Sequence, residues 1–152
     1  MNAVVSPAVV EVRRVINAPP AALFEAWLDP ASVGIWLCPF DGTHTDATID
    51  ARVGGDYTFD MHTPRGVMHH HGKYVVIEPN SALAFTWNSP HTGGDSLVTV
   101  TFTPVKGGTE LFLLHEKLPA DKIDAHTGGW NSGLDKLVTF VEGRAAGSGR
   151  SV

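Results

Sequence analysis

At Pro119 the hydrophobic period of the chain changes, and with it the range of folds open to the sequence. From about Phe40 to that point, apolar residues come in short, partly alternating segments separated by turn signals. Beyond it Ile123, His126, Trp130, Leu134, Leu137 and Val141 recur every three or four residues, the spacing of one face of an α-helix. Lys122, Asp124, Asn131, Asp135 and Glu142 fall largely elsewhere on that helix. The pattern predicts one long helix from about Ala120 to Glu142. Gly128, Gly129 and Gly133 weaken its first half by about 1 kcal/mol each relative to alanine, which points to close packing or local flexibility there. Consecutive antiparallel strands have no crossover helices to cover them, so their sheet must bury its inner face against this one helix.

The segments before Pro119 fill in the order. Val9 to Ile16 is a β-branched run suited to a strand. Pro19-Pro20 opens a short helix carrying Leu23, Phe24, Trp27 and Leu28, since a proline is tolerated in the first helical turn. Asp29 is placed to cap a second short helix through Val33 and Trp36. Strands are then expected at Thr48–Val53, Asp56–Met61, Val67–Ile77, Leu83–Trp87, Ser96–Thr103 and Thr109–Lys117. The expected fold class is α+β, a curved antiparallel sheet with two short helices and a long C-terminal helix. One domain spans residues 9–142, with 1–8 as an N-terminal extension and the Gly-, Ala- and Ser-rich stretch 143–152 as a disordered tail.

The chain of 152 residues has room for one domain, and 43% hydrophobic against 18% charged residues permits a packed interior. Its net charge is −5 and no run of Lys or Arg supplies a basic stripe, which sets nucleic-acid binding aside. Cys38 is the sole cysteine, so no intrachain disulfide forms. The N-terminus lacks the features of a signal peptide, and no stretch is long and apolar enough for a membrane span. The expected location is the cytoplasm.

A family pattern runs through the same segments. Ile16-Asn17-Ala18-Pro19 leading into Leu23-Phe24-Glu25-Ala26-Trp27, then Gly54-Gly55-Asp56-Tyr57-Thr58-Phe59, Gly72-Lys73-Tyr74, Leu83-Ala84-Phe85-Thr86-Trp87, and Gly129-Trp130 before Leu134-Asp135-Lys136-Leu137 occur in order. Over roughly Val9 to Glu142 the chain resembles the family named for the C-terminal domain of the activator of the heat-shock protein 90 ATPase. The resemblance implies the START-like, helix-grip fold of the birch-pollen-allergen type. It also implies a superfamily of lipid and hormone carriers, polyketide cyclases and chaperone activators, the last tied to the stress response.

Several residues carry chemistry worth placing. His69-His70-His71 follow His62 on the preceding strand; strand parity sends His69 and His71 to one face and His70 to the other. A metal there would need His62 or Asp60 as a further ligand, and so few ligands converge that no functional metal and no cofactor are expected. His126 lies on the inward stripe of the long helix, either bonded to backbone at a pocket mouth or acting on a ligand as donor, acid or base. Asp60, Glu116 and His115 assist it only if their strand faces point inward. Trp36, Phe59, Tyr74, Phe85, Trp87, Phe102, Phe112 and Trp130 either line a cavity or fill the core. Cys38 has no neighbouring base and reads as structural. Gly54-Gly55 opens a strand rather than a helix, so no phosphate loop is present.

The leading expectation is a noncatalytic domain binding a hydrophobic small molecule in an apolar pocket. The alternatives are a cyclase, aromatase or hydrolase working through pocket His and Asp or Glu, and a chaperone cofactor acting by protein contact. A homodimer is compatible with the edge strands of such a sheet.

Overall fold

The computed structural model describes residues 9–38, 43–92 and 94–149. The N-terminal extension 1–8 and the last residues of the tail lie outside them. Strand β1 (Val10–Ile16) is followed by helices α1 (Pro20–Leu28) and α2 (Pro30–Trp36), then β2 (His44–Ile49), β3 (Asp56–Thr63), β4 (Gly66–Glu78), β5 (Ala82–Trp87), β6 (Ser96–Val105) and β7 (Gly108–Glu116). A single 3-10 turn, Ala120–Lys122, leads into α3 (Ile123–Gly149). The strands form one seven-stranded sheet in the order β1-β7-β6-β5-β4-β3-β2, every neighbouring pair antiparallel. This is the curved-sheet, long-helix architecture read from the period change.

Alternation decides which side chains face the helix. Val10, Val12 and Ile16 on β1, Tyr57, Phe59 and Met61 on β3, and Val98, Val100 and Phe102 on β6 are buried at every second position. Trp130, Leu134, Leu137 and Val141 of α3 meet them. Leu23, Ala26 and Trp27 of α1 with Val33 and Trp36 of α2 plug the open end of the sheet. The Trp36 indole donates to the Ala26 carbonyl at 2.9 Å, locking the two short helices together. Asp29 stands at the N-cap position of α2, and its carboxylate accepts a bond from the Ser32 hydroxyl at 2.7 Å, which holds its pKa below the ordinary value.

Polar ties fix α3 to the sheet and to the short helices. Arg14 reaches Asn131 Oδ1 at 2.8 Å and Asp135 at 3.1 Å, and Glu142 accepts the backbone N–H of Asn17 at 3.0 Å. Lys136 Nζ donates to the Cys38 carbonyl at 2.6 Å. Close approach requires glycine at Gly72, where a Cβ would stand 2.0 Å from the Thr86 carbonyl oxygen, and at Gly55, where it would stand 2.1 Å from that of Asp50.

Two boundaries differ from the sequence reading. The strand expected at Thr48–Val53 instead ends at Ile49, because Asp50 to Gly55 closes a tight loop: Arg52 donates from its backbone to Asp50 at 2.8 Å and from its guanidinium to the Asp50 carboxylate at 2.8 Å. The long helix does not stop at Glu142 but runs on to Gly149.

Candidate functional site

Beside the N-terminal half of α3 the core is left unfilled. A cavity of about 250 Å³ lies between that half-helix, β3, β4 and the end of β5, walled by Leu37, Met61, Met68, Trp87, Trp130 and His70 among others. Gly129 and Gly133 form part of its helical wall. A Cβ built on Gly133 meets nothing within 4 Å, so this glycine supplies room rather than the close packing suggested by its place in the sequence. Arg65, in the turn between β3 and β4, stands at the cavity with Lys122, His91 and His126.

Behind the wall a buried chain of hydrogen bonds joins helix and sheet. Trp130 Nε1–H donates to His115 Nδ1 at 3.0 Å. An indole nitrogen only donates, so Nδ1 is unprotonated, and the proton sits on Nε2, which donates to Ser96 Oγ at 2.7 Å. Ser96 in turn donates to the Trp87 carbonyl at 2.6 Å. The chain links β5, β6, β7 and α3, with His115 fully buried. Burial, and then the neighbouring His126 and His70 rings, push the His115 pKa down to about 3.

His126 sits with its ring 5.2 Å from His115. Its Nδ1–H donates to the Lys122 carbonyl at 2.8 Å, which leaves Nε2 as the acceptor of the ring. Burial lowers its pKa, as it does that of His70, which falls to about 4. His70 Nδ1–H donates to the Met68 carbonyl at 3.2 Å, and its ring packs 4.8 Å from Trp87. At neutral pH these three histidines are therefore uncharged. The fixed positive charges of the cavity are Arg65 and Lys122, and among the described residues no Asp or Glu lines it.

Of the nine residues named in the sequence for a ligand pocket, Trp87, His126 and Trp130 line this cavity. Trp36, Phe59, Tyr74, Phe85 and Phe102 are buried on the same side of the sheet but stand deeper, in core contacts such as Trp27 against Trp36 at 4.7 Å and Phe24 against Phe102 at 6.2 Å. Phe112 lies on the opposite face: it is half-buried, with the Arg13 guanidinium 4.2 Å above its ring. Leu111 and Leu113 take the inward positions on β7 instead, so Phe112 does not belong to the pocket. Asp60 also faces outward, bonded to His69 at 2.7 Å, and Glu116 is out of step with inward His115, so neither carboxylate joins His126. Cys38 is buried and lines the cavity, with Sγ 3.6 Å from the His62 carbonyl oxygen.

Sequence reasoning missed Leu37, Met61, Met68, Arg65, His91 and Lys122 as cavity residues. Met61 was the recoverable one, since it continues the inward parity of Tyr57 and Phe59.

Comparison with known proteins places this geometry in a family. The model of the Activator of Hsp90 ATPase homolog 1-like protein family matches residues 17–142. A crystal structure of a protein from Chromobacterium violaceum superposes with a TM-score of 0.82 at 28% identity, covering 90% of this chain and 99% of that one. A protein from Mesorhizobium loti gives 0.73 at 26% identity, with 88% and 96% covered. The solution structure of an AHSA1-like protein from Aeromonas hydrophila, 22% identical, shares the fold with a TM-score of 0.76 over 90% and 94% of the two chains. No match was found among curated proteins. No helix among the described residues is long and apolar enough to cross a membrane. With most of its length matched by the family model and the sheet-and-helix architecture shared with these structures, the chain belongs to the Activator of Hsp90 ATPase homolog 1-like family and has the START-like helix-grip fold.

Proposed function

We propose that this domain binds a small amphipathic molecule, an apolar or aromatic body ending in an anionic group, in the cavity beside α3. The observation that carries the reading is the make-up of the wall: apolar and aromatic side chains, two fixed cations, three histidines and, among the described residues, no carboxylate. Apolar surface taken out of water supplies most of the affinity, and the few polar groups fix orientation. Arg65 and Lys122 meet the anionic end. His126 Nε2, an acceptor at neutral pH, takes a hydroxyl or amide hydrogen of the ligand. Trp87 and Trp130, packed against each other with ring centroids 5.0 Å apart, form the aromatic wall on which the body rests.

The same make-up weighs against a cyclase or hydrolase that pairs His with Asp or Glu, because Asp60 is turned to the outer face and no acidic group among the described residues accompanies His126. Fluorescence titration of the full chain with anilinonaphthalene sulfonate and with a neutral naphthalene of similar size tests the proposal. Saturable one-site binding that favours the anion supports it. Equal binding of both compounds, or none, overturns the anionic half or the whole.

A second reading, contact with a chaperone, rests on the family match itself. An ATPase assay with the heat-shock protein 90 of the same host measures it. Stimulation by the full chain supports the reading, and an unchanged rate removes it.

A further inference from the structure

The outer face of β2 and β3 carries a set of side chains that the cavity does not use. His44 and Asp46 lie two residues apart on edge strand β2 and therefore share a face, and His62 on β3 is the register partner of His44. Burial of Thr45 and Met61, the inward neighbours, confirms that His44, Asp46 and His62 project outward. His62 Nε2 stands 2.7 Å from Asp46 Oδ2 and His44 Nε2 stands 3.7 Å from Asp46 Oδ1. The two imidazoles stack with centroids 4.2 Å apart and planes 10° from parallel. One ligand atom from each of the three residues lies within 4.8 Å of the other two.

We propose that His44, Asp46 and His62 form a binding site for a divalent transition metal, with zinc as the type ion. Two imidazoles and a carboxylate are a donor set suited to zinc and its neighbours in the first transition row. Metal–ligand bonds of about 2.0–2.2 Å in tetrahedral geometry place ligand atoms roughly 3.3–3.5 Å apart, between the two distances found to the Asp46 carboxylate. Capture requires the ion to replace the direct His62–Asp46 hydrogen bond and one ring to tilt out of the stack, motions open to side chains on an exposed face. The ring of His44 is already oriented from behind: Thr43 Oγ1 lies 3.2 Å from Nδ1, and an Nδ1–H donated to that oxygen leaves Nε2 as the metal-binding lone pair. Remaining coordination positions are open to water. Because β2 is an edge of the sheet, the ion would clip that edge to β3.

The sequence reading placed any metal on His69 and His71, with His62 or Asp60 as a further ligand. The structure instead bonds His69 to Asp60 and groups His62 with His44 and Asp46.

The test is a zinc titration of untagged full-length protein in competition with a chromophoric chelator, repeated with cobalt to read ligand-field absorption. One equivalent is expected. His62→Ala and His44→Ala should each weaken binding by at least about tenfold, since even removing a supporting group behind a ligand costs that much; Asp46→Asn should weaken it as well, and His69→Ala should leave it unchanged. Zinc should raise the melting temperature of the wild type and not of His62→Ala, as expected for a ligand of the folded state. The apo melting temperatures of the variants check that the fold is intact. Absence of binding, or binding lost in His69→Ala but kept in His62→Ala, overturns the assignment.

Discussion

Substituting Gly133 separates the stability of α3 from the use of its cavity. Gly133 lies inside the helix, and a Cβ added to it meets open space on the cavity side. Gly133→Ala therefore keeps every contact and removes the entropic weakness of a helical glycine, a gain of about 1 kcal/mol. For a domain of this size such a gain raises the melting temperature by roughly 2–4 °C. Gly133→Leu keeps nearly the same helical gain but sends an isobutyl group into a cavity of about 250 Å³. The leucine variant should melt no lower than the wild type and should lose anilinonaphthalene sulfonate binding, while the alanine variant binds more weakly or equally. The assays are thermal denaturation followed by circular dichroism and fluorescence titration of the three proteins. A lower melting temperature for Gly133→Ala would mean that the helix needs glycine there for close approach. Undiminished binding by Gly133→Leu would place the ligand elsewhere, and either result refutes the reasoning.

Charge reversal at the cavity, Arg65→Glu or Lys122→Glu, should weaken binding of the anionic probe severalfold, with little change in melting temperature because Arg65 is exposed; the same titration at high salt should reduce the wild-type preference for the anion. Stability should depend on the buried histidines with a defined sign. The His70 pKa falls to about 4 and that of His115 to about 3 from the ordinary histidine value of about 6.5, so between those limits the unfolded chain binds protons the folded chain does not. Stability is complete above about pH 6.5 and falls as the pH drops toward 4, by several kcal/mol in order of magnitude. Urea denaturation across that range measures it, and a flat profile would contradict the burial assigned to these rings. His115→Phe should lower stability by roughly 1–3 kcal/mol, because it leaves the Trp130 N–H without its acceptor in a dry interior; a neutral effect would mean that water or a rearranged partner takes its place.

What the sequence made legible was period, and period carries topology well. The helix after Pro119, the two proline-opened helices and the run of antiparallel strands follow from spacing and turn residues. Depth within the core does not. Parity sends Phe59, Phe85 and Trp87 to the helix side alike, yet only Trp87 reaches the cavity, because the curvature of the sheet decides which of them a gap in the packing exposes. Phe112 was misplaced because Leu111 to Leu114 are all apolar, which erases the alternation that would have named the inward pair. His115 was named only as a possible assistant to His126, because its partners Trp130 and Ser96 lie on other elements and only the folded sheet brings them together. The outward trio depends on where β2 begins. With that strand expected from Thr48, His44 and Asp46 had no strand to align them, and their register with β3 emerged only from the structure.

The central claim, an amphipathic ligand held against Trp87 and Trp130, is tested most directly by the indole N–H resonances of the protein during titration with an aromatic carboxylate. Trp36 serves as the internal control, since its indole is bonded to the Ala26 carbonyl at 2.9 Å and lies off the cavity wall. The account predicts saturable shifts for Trp87 and Trp130 with Trp36 nearly still. Unmoved Trp87 and Trp130 signals at saturating ligand, or a Trp36 shift as large as theirs, would contradict it.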